Sequence, residues 1–176
     1  HATGELDAAE SMYMRTDAYQ KRVLGGDHAE IAINMSMLAR LYADRGEFDR
    51  AEKLLVKSLD MRRRLFGTRH VHLARHLHNM GVFYAQAGKP ALAEEMLTET
   101  LTMRTALRMG AHPVIAETQA ALGDVLAGMN RWEEADAMFR SAHDIYQNLL
   151  GPEHQTTRDV LRRQAIAIGA DSESAP

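Results

Sequence analysis

AEIAINMSMLARLYADRGEFDRAEKLLVKSLDMRRRLFG, residues 29–67, carries two helical stripes separated by one short break. Ile31, Met35, Leu38, Leu41 and Tyr42 step by three and four, which puts them on one face of a first helix. After the break at Arg45-Gly46, the residues Phe48, Ala51, Leu54, Leu55, Leu59 and Met61 form a second stripe. Neither helix can bury its stripe alone, so the segment reads as a helix hairpin that needs neighbours. Arg62, Arg63 and Arg64 fall in the last turn of the second helix, where cations complement the dipole. No segment alternates with period two over a useful length, and strands are not expected.

The hairpin repeats. His28, His70, His112 and His154 stand 42 residues apart, preceded by the junctions LGGDH, FGTRH, RMGAH and LGPEH. Ala9, Ala51, Ala93 and Ala135 keep the same spacing. Gly46 and Gly88 are followed in register by Asn130, a residue that also tolerates left-handed backbone. GELDAAE, residues 4–10, matches GEFDRAE, residues 46–52, so the chain starts in the second half of a hairpin. The expected order is an unpaired helix over 5–23, hairpins over 27–65, 69–107 and 112–149, and a capping helix over 153–168. Together they make one array over 1–170, followed by a polar tail, 171–176, with the composition of a disordered segment. Arg162-Arg163-Gln164 puts polar side chains at a packing position of the last helix, as a terminal cap requires.

The composition excludes several classes. A net charge of −3 gives no bulk case for nucleic acid. The absence of cysteine removes disulfides, thiolate nucleophiles and cysteine-ligated zinc. No apolar run approaches the ~20 residues that span a bilayer, so membrane insertion is not expected. The absence of cysteine permits an intracellular setting, and the first residue, His1 rather than Met, suits a processed organellar protein as well as a fragment. The setting would be the cytoplasm, or a mitochondrion or other organelle after transit-peptide removal.

Leu38-Ala39…Tyr42 followed by Ala51…Leu55, Met80-Gly81…Tyr84 by Ala93…Leu97, and Leu122-Gly123…Leu126 by Ala135…Phe139 resemble the signature of the tetratricopeptide repeat family. The usual repeat is about 34 residues. The Tyr-to-Ala spacing is unchanged, so the extra residues fall between hairpins. That longer form, with its junction histidine, is similar to the kinesin light chain subtype. The resemblance implies an all-α, right-handed α-solenoid of stacked hairpins that acts as a non-catalytic protein–protein interaction scaffold or adaptor. Its concave groove would accept a partner segment. The groove positions it implies are Ile33, Ser36, Met37, Arg40 and Asp44, then Arg75, His78, Asn79, Val82 and Gln86, then Glu117, Ala120, Ala121, Asp124 and Gly128. The subtype's Asn-Asn pair is replaced by Ser36-Met37, His78-Asn79 and Ala120-Ala121, of which only Asn79 matches. Arg40 and Arg75 stand toward one end, and guanidinium groups there suit an acidic partner segment.

Chemistry-bearing clusters are few. His72 and His76 have the i, i+4 spacing of a metal pair, but HVHLARHLHN lacks the Glu of H-E-x-x-H and fixes no third ligand. Both read as solvated surface histidines, with no metal, cofactor or enzyme implied. The periodic histidines read as local hydrogen-bonding or packing groups at the junctions. Most methionines, including Met12, Met35, Met61 and Met96, occupy packing positions. At the N-terminal end Ala8, Met12 and Tyr13 form a helix face that expects a partner. The alternative function is therefore a structural subunit or assembly factor of a large, possibly organellar, complex, docking through its convex face and open N-terminal end.

Overall fold

A computed structural model of the chain describes residues 2–107, 109–110 and 112–174. Eight helices run along them: α1 (Ala2–Leu24), α2 (Ala29–Asp44), α3 (Phe48–Phe66), α4 (Val71–Gln86), α5 (Pro90–Ala106), α6 (Pro113–Gly128), α7 (Trp132–Leu150) and α8 (Gln155–Ser174). There is no strand among the described residues. No proline interrupts the backbone between Gln155 and Ser174, so α8 continues through residues 171–174, where composition suggested a disordered tail. Residues 175 and 176 of that tail lie outside the described residues.

The chain divides inside α4 into two compact units, residues 1–73 and 74–176. In the first, α2 packs against both α1 and α3. Ile31, Ala32 and Met35 of α2 meet Met61 of α3 in its core, with Leu54 against them. In the second, α5 packs on α6, α6 on α7 and α7 on α8.

Each hairpin turns the same way. The N–H groups of Glu47, Lys89 and Arg131 donate to the carbonyls of Tyr42, Tyr84 and Leu126 at 2.8, 2.9 and 2.9 Å. Such a six-residue closure needs one left-handed residue. Gly46 (φ 77°), Gly88 (φ 70°) and Asn130 (φ 60°) supply it, as their register predicts.

The junctions are equally uniform. Nδ1 of His28, His70, His112 and His154 accepts the backbone N–H two residues on, at 3.2, 3.2, 3.3 and 3.2 Å. An imidazole used in this way caps a helix N-terminus as a short polar side chain does, and it must present a bare Nδ1. The recurrent histidine is thus part of the fold.

Within a hairpin the two helices come close because one of them lacks bulk. A methyl built on Gly123 would lie 2.9 Å from Cε1 and Cζ of Phe139, and one on Gly81 would lie 2.6 Å from Cγ of Leu97. The first hairpin has Ala39 at this register, fully buried. Gly123→Ala is expected to destabilise the fold by about 1–2 kcal/mol, because ring displacement outweighs the gain in helix propensity. Gly128→Ala, with nothing within 4 Å of the new methyl, is expected to stabilise by about 0.5 kcal/mol. Urea denaturation of both variants checks the pair.

Candidate functional site

The helix seams take up several residues that the sequence assigned to the groove. Ser36 is half-buried, and its Oγ donates to the Ala32 carbonyl at 2.9 Å and lies 3.0 Å from Ser58 Oγ. Arg62 is buried and donates to both hydroxyls, so this member of the arginine triplet is not a solvated cation at a helix end. Arg64 is exposed and pairs with Asp27.

The second hairpin carries the same seam in heavier form. His78, Thr100 and Arg104 stand one period after Ser36, Ser58 and Arg62, and all three are buried. Arg104 reaches forward to α6, donating to the Val114 carbonyl and to Thr118 Oγ1. Thr118 gives its own proton to the Val114 carbonyl at 2.9 Å. His78 therefore donates through Nδ1 to Thr118 Oγ1, 3.1 Å away. Its other nitrogen faces Glu117 at 3.7 Å. His76 is also buried, which corrects its reading as a surface histidine, while His72 is exposed. Asn34, His76 and Thr118 share one register, and the fold fills it with polar groups each time. Helical periodicity alone does not separate a polar seam from a polar surface.

Taking Ser36, His78 and the buried Ala120 out of the groove leaves a clearer row. Arg75, Asn79, Val82 and Gln86 step along one face of α4; Arg75, Asn79 and Gln86 are exposed and Val82 is half-buried. The row ends in a cleft of about 560 Å³ whose walls include Val82, Gln86, Leu97, Ala121, Asp124 and Gly128. Asp124 is not an open charge there: Arg163 of α8 pairs with it, donates to the Ala120 carbonyl at 2.7 Å and stacks 5.6 Å from the Phe139 ring. The side chain expected to mark a polar cap thus reaches back to α6. In the first unit, Met37, Arg40 and Asp44 are exposed on α2 and Ile33 is half-buried. Neither Arg40 nor Arg75 is ion-paired among the described residues.

At the N-terminal end Ala8 is exposed, Met12 is 66% exposed, and Tyr13 is half-buried with its carbonyl accepting from Asn34 Nδ2 at 3.0 Å. Met12 is therefore not filling a core in this structure. Glu10 anchors α1 to α2. It accepts from the Tyr42 hydroxyl at 2.8 Å and from Arg45, and Arg50 stacks over the Tyr42 ring at 3.9 Å. The hydrogen bond from Tyr42, then that from Arg45, holds the Glu10 carboxyl below its ordinary range.

No group of three His, Cys, Asp or Glu is placed to hold a metal ion among the described residues. No helix of those residues is long and apolar enough to cross a membrane. An array of apolar hairpins with an accessible helix face and a cleft defines a class, the helical-repeat scaffold for protein–protein interaction. A tetratricopeptide repeat profile matches residues 1–64 and 36–106, and a second profile of that description matches residues 115–156. The chain belongs to the tetratricopeptide repeat family. No curated protein matches it. Among solved structures it is similar to a putative kinesin light chain with nearly identical TPR-like repeats from Podosopora anserina and to a point variant of that protein. Both are 20% identical; the alignments cover 98% of this chain and 82% of theirs, with TM-scores of 0.83 and 0.84 for the protein and its variant. It is also similar to BtubC (BKLC) from P. vanneervenii, at 20% identity over 97% of this chain and 68% of that one, with a TM-score of 0.84. These likenesses show the fold.

Burial pulls the His78 imidazole below its ordinary value near 6.5, Glu117 opposes the shift and Arg104 reinforces it. The unfolded chain then binds the proton more readily, so this group's contribution is present above the unfolded value and lost as pH falls below it. One such group contributes a slope of at most about 1.4 kcal/mol per pH unit. Urea midpoints recorded from pH 7 down to 5 are expected to fall more steeply for the parent chain than for His78→Gln; equal slopes would contradict the assignment.

Proposed function

We infer that the chain binds a segment of a partner protein along the exposed face of α4, and that an acidic residue of the segment meets Arg75. The observation that carries this reading is the α4 row, where Arg75, Asn79 and Gln86 lie open to solvent and lead to the cleft at Val82. A guanidinium holds a carboxylate through two parallel hydrogen bonds, and an asparagine beside it can hold an extended backbone. The cleft walls from Val82, Leu97 and Ala121 would take an apolar side chain. Selection of random peptides displayed on phage is expected to enrich sequences pairing Asp or Glu with a nearby apolar anchor. Arg75→Glu is expected to weaken those peptides by about tenfold or more, corresponding to about 1.4 kcal/mol. Enrichment of basic sequences, or binding that survives the reversal, would overturn the reading.

A second reading, a subunit of a larger assembly that docks through α1 and the convex face, is favoured by the exposure of Met12 and of Tyr19 at 58%. Met12→Glu is then expected to release the chain from its assembly while leaving the acidic-peptide affinity unchanged; co-purification from cell extract compares the two.

A further inference from the structure

Asp124 is the only charged residue among the described residues that wall the cleft; the others, Val82, Leu97 and Ala121 among them, are apolar or neutral. Left alone, a carboxylate in such a wall would draw a lysine or arginine side chain of an incoming segment. It is not left alone. Arg163 stands on α8 in the register that Asn79 holds on α4 and Ala121 on α6, and its side chain turns back to α6. Its Nε donates to one carboxylate oxygen of Asp124 at 2.9 Å, and its Nη2 donates to the other. The same Nη2 donates to the Ala120 carbonyl at 2.7 Å, one turn earlier on α6. This is the two-pronged geometry in which a guanidinium recognises a carboxylate best. The buried Phe139 ring lies 5.6 Å from the guanidinium carbon and supports the cation from a third side. Arg162 takes no part, since it pairs with Asp159 of its own helix at 3.3 Å.

We propose that Arg163 masks Asp124 and so makes the cleft selective for an uncharged anchor side chain. Arg163 is then a specificity-determining residue that acts through Asp124 and need not touch the anchor. The inference rests on the reading that a partner segment lies along α4 and seats an apolar side chain in the cleft. A leucine or methionine enters a space whose one carboxylate is already neutralised. A lysine would have to shed water from its ammonium group against a carboxylate whose charge is already met, so the cleft refuses it. Arg75 and the cleft thus make different demands on one segment, an acid at the first and an uncharged side chain at the second. The side chains of Arg163 and Asp124 are 37% and 52% exposed. Shortening Arg163 therefore leaves Asp124 in contact with water, charged and open to a new cation, without stranding a buried charge.

Calorimetric titration of the 176-residue chain with two synthetic peptides tests the mask, with circular dichroism as the control for folding. The peptides share one acidic sequence enriched by the phage selection and carry Leu or Lys at the anchor. The parent chain is expected to prefer the Leu peptide by about tenfold or more. Arg163→Ala is expected to move the ratio of the two affinities about tenfold toward the Lys peptide. Adding Asp124→Asn to that variant is expected to restore the parent ratio, and Arg163→Lys to stay near it. A ratio unmoved by Arg163→Ala, or affinities for both peptides that fall together, would overturn the proposal. n-Butylammonium chloride puts the same question to the cleft without a peptide, read from the amide NMR signals of Val82 and Ala121. Those signals are expected to shift in Arg163→Ala and to stay in place in the parent and in the double variant. A cation that shifts the parent as much would overturn the mask. Failure of every acidic peptide with the butylammonium result intact would overturn the α4 reading alone.

Discussion

How near two helices of one hairpin can approach is the constraint on which the rest of this molecule depends. Gly81 and Gly123 have no side chain to keep Leu97 and Phe139 away, and the fully buried Ala39 has only a methyl at the same register. Close approach is what lets the chain reverse through a turn closed by a single left-handed residue, Gly46, Gly88 or Asn130. It also fixes which side chains lie between the helices and which are left outside. Packing of this kind tolerates little change in volume, since displaced rings lose dispersion contacts on every side.

The space between helices is not wholly apolar. Ser36, Ser58 and Arg62 in one hairpin and His78, Thr100 and Arg104 in the next line the same strip, while Ala120, Ala142 and Tyr146 line it in the third. The guanidinium of Arg104 is held by α6, and His78 bonds to Thr118 of that same helix, so the polar strip ties α4 and α5 to α6. Burial lowers the affinity of Arg104 for its proton, although a guanidinium keeps it at any ordinary pH. A buried cation held by hydroxyls and carbonyls is costly to uncover, because losing any one partner leaves it without compensation. The strip thus specifies register as well as adding contacts.

The fold was legible because period, turn and junction signals agree. Eight helices follow one another along the described residues, as the succession of apolar stripes requires. Ala39, Gly81 and Gly123 announced close approach by their size. The exposure of the candidate residues was legible only in part. Arg75, Asn79 and Gln86 are exposed on α4 and Val82 is half-buried, whereas Ser36 is half-buried and His78 buried. A polar residue one step from an apolar stripe sits at its edge, and the partner that draws it inward is a residue of another helix. Ser58 does this for Ser36, and Thr118 for His78. Neither partner is near in sequence. The pairing of Arg163 with Asp124 was hidden for the same reason, since 39 residues separate the two.

The junction histidines have a further consequence. Each helix pair brings its own cap at the start and its own left-handed closure at the turn, so a repeat borrows neither from its neighbours. Cutting the chain at two junctions and rejoining it would set one histidine cap where another had been, with the next first helix still in phase. Whole periods are thus interchangeable units of inheritance. Length can drift in steps of 42 residues with the local chemistry of every joint intact, whereas any other step would place a cap inside a helix.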